Sequence, residues 1–133
     1  MKIVMVLNAS LPPGLAANTA AVLGISLGHA APDIIGPDLY DGSGALHPGI
    51  TARNIPVLGT DSRTLKTLFE QAVRHPDLEV LGFNTIAHQS KDYRIYAEKL
   101  AAAETEALEF SGLCIKGTPK SVNHLTGSLK LYG

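Results

Sequence analysis

Residues Ile3 to Leu7 form an unbroken apolar run, and Asn8 ends it. A run of strand length without alternation predicts a central strand buried on both faces. Leu11-Pro12-Pro13-Gly14 turns the chain. Gly14 to Gly28 then reads as an alanine-rich helix closed by glycine. Its polar side chains are Asn18, Thr19 and Ser26, a pattern that predicts burial on most sides. Small residues such as Ala17, Ala21 and Gly24 would let sheet or partner backbone come close.

Between Pro32 and Pro56 the chain is rich in proline and glycine and shows no helical period. Asp38-Leu39-Tyr40 and Ala45-Leu46-His47 flank Asp41-Gly42-Ser43-Gly44, which predicts a hairpin. Ile55 to Leu58 reads as a strand, with Pro56 favouring an edge or a strand start. Thr60 or Asp61 caps the next helix, whose apolar residues Leu65, Leu68, Phe69, Ala72 and Val73 carry the clearest helical period in the chain. His75-Pro76 stops it.

Leu78 to Phe83 is another strand, ended by Asn84-Thr85. A helix from about Lys91 to Ala103 places Tyr93, Tyr96, Ala97 and Leu100 on one face. Glu104, Glu106 and Glu109 mark a solvated connector, and Phe110 to Ile115 supplies the last long strand. Thr118 caps a short helix with Pro119 at its first position and Gly127 at its end. Strands alternating with helices predict an α/β fold, a three-layer sandwich around a mixed, mostly parallel sheet of about four main strands. The length of 133 residues fits one domain spanning 1–133.

Composition adds three constraints. Charged residues make up 17%, below the roughly one quarter usual for globular domains, which points to surface covered in a homodimer. The net charge of −1 gives no global pull toward nucleic acid or an anionic membrane. The first 32 residues and everything from Ser111 onward lack acids, which leaves two readings open: head and tail forming one mildly basic face for nucleic acid, or Lys116, Lys120 and Lys130 as ordinary solubility residues. The one cysteine, Cys114, lies in an apolar run and reads as a buried small residue. The N-terminal apolar run is too short for a signal peptide, so a cytoplasmic protein with no membrane association is expected.

Two stretches carry a likeness to known families. The tail Leu125-Thr126-Gly127-Ser128-Leu129-Lys130-Leu131-Tyr132, following the Thr118-Pro119 helix, resembles the end of the type II peptidyl-tRNA hydrolases. The opening strand, its turn and the helix from Gly14 resemble the start of those enzymes. The resemblance implies their α/β fold. Their lysines and glutamine around the turn are absent from Gly14 to Val22, their aspartate is replaced by Asn84-Thr85, and their Asp-Lys pair by Asn123-His124. A fuller likeness, at Leu11 to Asn18, Gly36-Pro37-Asp38, His47 to Thr51 and Asn123 to Leu129, is to a bacterial family of unassigned function, domain-of-unknown-function family 2000. That family brings no known reaction.

In open α/β sheets ligands sit beyond the carboxyl ends of the strands. Asn8, Asn84 and Thr85 fall there, with Asn18 and Thr19 on the first helix. Asn123 and Thr126 join them if the tail packs as the resemblance implies, and Lys120 on the short helix is a further candidate for ligand binding. These residues suit a small polar ligand and lack a group titrating near neutrality; equally, they are ordinary capping and turn residues. His47 and His88 are the histidines placed to serve as a base. No histidine stands at metal-ligand spacing from another ligand type, and phosphate-loop, dinucleotide and Gly-x-Ser-x-Gly motifs are missing, so no cofactor is expected. Two readings follow. The first is a non-catalytic or ligand-binding protein with a peptidyl-tRNA hydrolase-like fold. The alternative is an active hydrolase of peptidyl-tRNA or a related ester, rebuilt around His47, His124 or Lys120.

Overall fold

The computed structural model describes all of residues 1–133. In chain order the elements are β1 (Lys2–Asn8), α1 (Pro13–Ala30), the hairpin strands β2 (Leu39–Tyr40) and β3 (Leu46–His47), β4 (Val57–Thr60), α2 (Ser62–Arg74), β5 (Leu78–Asn84), α3 (Thr85–Gln89), α4 (Tyr93–Ala101), β6 (Phe110–Gly117), α5 (Pro119–Thr126) and β7 (Lys130–Leu131). Five strands form one mixed sheet in the order β5-β6-β1-β4-β7.

The apolar run of β1 is explained by its place. Ile3, Met5 and Leu7 pack on one face of the sheet with Leu23 and Leu27 of α1. Val4 and Val6 pack on the other with Leu65 and Leu68 of α2 and Val122 of α5. Alternation is invisible in the sequence because both pleats are covered. Helices on both faces make three layers, as expected. Each fully buried Leu or Ile side chain contributes about 1.5–3 kcal/mol of transfer free energy, so the two half-cores hold the sheet from both sides.

The sheet is not mostly parallel in its pairing. Only β1 and β4 are parallel neighbours; β1–β6, β5–β6 and β4–β7 are antiparallel. The reason lies in the connection after β5. It carries the short helices α3 and α4, which do not cross the sheet, so β6 returns beside β5 in the opposite sense and inserts next to β1. Since β4 has a neighbour on each side, Pro56 marks a strand start and not an edge.

Three local expectations need correction. Helix α1 buries a single stripe, Ala16, Thr19, Leu23 and Leu27, and leaves Leu15 and Ile25 40% and 76% exposed. Its apolar outward face therefore reflects something other than intramolecular burial. Val73 of α2 is exposed although Leu65, Leu68 and Ala72 are buried. The single helix expected from Lys91 is preceded by α3: Asn84 caps α3 by accepting from the Ala87 amide at 2.9 Å, and Asp92 caps α4 by accepting from the Ile95 amide at 2.9 Å. On α4 the expected face is only half-formed, with Tyr93 exposed and Tyr96 and Leu100 half-buried.

Residues 35–52 form an arm. Ile35 and Thr51 bridge, and the Gly36 amide donates to the Ile50 carbonyl at 2.7 Å. The backbones cross closely enough that a Cβ on Gly49 would lie 1.9 Å from the Gly36 carbonyl oxygen. At the tip, one Asp41 carboxylate oxygen accepts from the Ser43 and Ala45 amides, and the other bonds His47 Nε2 at 2.9 Å. Gly44, with φ of 86°, takes the left-handed conformation that this turn requires.

Candidate functional site

The nine residues singled out in the sequence fall in separate places. At the carboxyl ends of β1 and β5 lie Asn8, Asn84 and Thr85. Asn8 Oδ1 accepts from the Ser10 amide at 3.0 Å, a turn contact. Asn84 is 5% exposed; besides capping α3, its amide nitrogen donates to the Tyr96 hydroxyl at 3.4 Å. Thr85 donates its amide to the Glu109 carbonyl, which ties α3 to the start of β6. Thr19 is fully buried, and its hydroxyl donates to the Leu15 carbonyl at 2.8 Å; Asn18 points outward from α1. Thr126 is buried beneath α5, donating to the Val122 carbonyl at 2.7 Å.

Lys120 and Asn123 lie at the opposite end of the sheet. The Lys2 ammonium, at the start of β1, donates to Asn123 Oδ1. His47 belongs to the arm. Asn123 and Thr126 do not join the residues at the carboxyl ends of β1 and β5, because α5 packs on the α2 face, away from α1.

Head and tail do meet at that opposite end. A hollow of about 360 Å³ there is lined by Lys2, Arg53 and Asn54, with Arg53 donating to the Met1 carbonyl at 3.2 Å. Lys116 is already engaged by Glu79 at 2.9 Å.

A second polar concavity lies at the edge strand β5. A cleft of about 420 Å³ runs between α1 and the α3–α4 segment. Val22 and Ser26 form its α1 wall, Phe83 and Ala87 its floor, and Ser90, Lys91, Asp92, Tyr93 and Tyr96 the far side. The two tyrosine rings meet edge to face, 5.4 Å between centroids at 79°. Asp92 uses one carboxylate oxygen as the α4 cap, and Lys91 has no ion-pair partner.

Beside the cleft floor lies a hydroxyl–imidazole pair. The strand register slips between Phe83, which faces Gly112, and Asn84, which faces Phe110, so Ser111 is the extra residue of a bulge. The Ser111 hydroxyl, on a residue 2% exposed, is hydrogen-bonded to His88 Nδ1 at 3.1 Å. The imidazole stacks on Phe83 at 5.5 Å, and no carboxylate hydrogen-bonds its other nitrogen. His88 was legible as a candidate base; Ser111 was not, since a bulge leaves no signature in residue types.

Electrostatics narrow the chemistry. Burial pushes the Cys114 thiol up to about 11, against a smaller opposing pull from Lys116. Such a thiol is a poor nucleophile. Asp41 is held below its usual range first by His47 and then by the turn amides, and Asp61 by the Thr64 amide and hydroxyl. No group of three or more metal-ligating side chains comes together, and no helix is long and apolar enough to cross a membrane.

No curated protein matches the chain. The structure of a protein of unknown function from Agrobacterium tumefaciens strain C58 superposes with a TM-score of 0.89 at 18% identity, over 99% of this chain and 97% of that one. At that identity the likeness is one of fold. The family model described as a protein of unknown function, DUF2000, matches residues 1–133, and the chain therefore belongs to the DUF2000 family.

Proposed function

We propose that this protein binds a small polar ligand in the cleft between α1 and α4, as a non-catalytic protein whose fold is like that of the type II peptidyl-tRNA hydrolases. The likeness to those enzymes rests on the sequence of the first strand and of the tail, and the sheet covered by helices on both faces is compatible with it. The observation that carries the ligand reading is the lining of the cleft. An unpaired ammonium, Lys91, adjoins a carboxylate, Asp92, beside two tyrosine rings and the hydroxyls of Ser26 and Ser90. Adjacent opposite charges over an aromatic wall match a zwitterion carrying an apolar or planar side chain, of which a free amino acid is the simplest.

The chain has no tryptophan and four tyrosines, and two of them line the cleft, so tyrosine emission reports binding directly. Titration with free amino acids is expected to give a saturable change. Lys91→Ala is expected to weaken it about tenfold, the scale of one charge-assisted hydrogen bond. A flat response across the set would remove the zwitterion reading.

One observation favours a second reading, hydrolysis of peptidyl-tRNA or a related ester. It is the His88–Ser111 contact beside the cleft floor, which resembles a nucleophile and its base. That chemistry requires Ser111 to become accessible. Turnover of a peptidyl-tRNA mimic that is lost in Ser111→Ala and His88→Ala would support it; equal rates with and without protein would end it.

A further inference from the structure

We infer that the protein works as a two-fold dimer in which the arm of each copy lies across the outward face of α1 of the other. The arm shows the need for a cover. Its backbone is fixed by the Gly36–Ile50 and Asp41 contacts, yet it has no core of its own. Leu39, Tyr40, Leu46 and Ile50 are 64%, 72%, 51% and 79% exposed. A hollow of about 470 Å³, walled by Leu39, Pro48 and Ile50, is open beside them.

The second surface is on the same chain. Helix α1 contains no Asp, Glu, Lys or Arg in its 18 residues, although its outward stripe of Asn18, Ala21, Ile25 and His29 faces solvent. A solvated helix face normally carries charge, so this one is built to be covered. Ile25 suits the arm's apolar hollow, and Ala17 and Ala21 let a flat segment approach the helix backbone.

Fully covered, the exposed apolar residues of arm and helix, with Ile35 and Leu15, supply an area on the order of the roughly 800 Å² per partner that a standard interface buries. Charge does not oppose the contact: the arm carries Asp38 and Asp41, and the helix carries no acid. An arm-to-helix contact repeated by a two-fold axis buries both surfaces on both copies. Val22 neighbours Ile25 one turn back along α1 and walls the cleft, so a docked arm borders the opening that the cleft otherwise leaves to solvent.

Sedimentation and light scattering are expected to give twice the 14.0 kDa chain mass, falling to one chain in both Ile25→Asp and Tyr40→Asp. Both positions are on the surface, so circular dichroism unchanged from the parent separates loss of assembly from loss of fold. Cysteine pairing then identifies the contact. Mixed Ile25→Cys and Ile50→Cys proteins are expected to form the mixed disulfide under mild oxidation, with Cys114 inert. A monomeric parent protein overturns the inference. So does an Ile25→Cys protein that cross-links to itself in preference to the mixture, since α1 would then pair with α1.

Discussion

Cys114 and Gly49 show how single residues report the fold. The Cys114 thiol, raised to about 11 from 9.0, is shielded between β1 and β5 at the centre of the sheet. The folded protein should resist an aromatic disulfide reagent at pH 8 and react at once in denaturant; fast labelling of the native state would contradict the burial. The sign of the linkage follows. Between pH 9 and about 11 the unfolded chain loses this proton and the folded chain keeps it, so stability falls as pH rises through that window. Cys114→Ala should have a shallower alkaline decline in Tm than the parent. At Gly49 a methyl group has nowhere to go, because the obstacle is the Gly36 carbonyl oxygen at 1.9 Å and backbone cannot swing aside. Gly49→Ala is expected to open the arm crossing while the sheet survives, visible as lost amide protection confined to residues 35–52. The sequence displayed the residue types at these positions. It could not display Ser111, whose role comes from a one-residue slip against β5.

At the scale of elements, legibility tracked how strongly the pattern constrained its surroundings. Helix α2 was plain because Leu65, Leu68 and Ala72 meet one face of the sheet while polar residues fill the opposite side. Helix α1 misled because an apolar pattern all round is the same whether the outward face meets this chain, a second copy or water. Helix α3 was missed because its five residues, Thr85–Gln89, are too few to show a helical period, while the capping residues Asn84 and Asp92 decide where α3 and α4 begin. Caps also give a pH handle. Asp61, at the start of α2, accepts from the Thr64 amide at 2.7 Å, and its carboxyl is held below 3.8. A depressed acid contributes stability above its unfolded pKa and loses it as pH falls through the folded value. Asp61→Ala should therefore melt below the parent at pH 7, and the gap should begin to narrow near pH 3.8 and close only as pH falls through the lowered folded value. A gap that persists in strong acid would mean that the side chain acts through packing and not as an ionised cap.

For the whole molecule, the governing feature is that β6 comes late in the chain and sits beside the strand that starts it. It pairs with β1 on one side and β5 on the other, and Leu113 and Ile115 on its α2 face are fully buried. The alternation of strands and helices revealed the α/β class, but the insertion of β6 between β5 and β1 depends on a connection that stays on one side of the sheet. That arrangement separates stability from binding. Leu113 belongs to the half-core of α2 and α5, whereas the cleft is formed by α1, α3 and α4 at the edge strand β5. Leu113→Ala is expected to cost about 2–5 kcal/mol in urea unfolding. Amide exchange should be slowest along β6 and fast through α3 and α4, where neither helix has a buried residue. Ligand affinity measured by tyrosine emission should then stay within about twofold of the parent for Leu113→Ala, because the Leu113 side chain packs on the α2 side of the sheet, away from α1, even though its strand partner Gly82 lines the cleft. An affinity that falls together with stability would tie the cleft to the core and require a rigid coupling through β5.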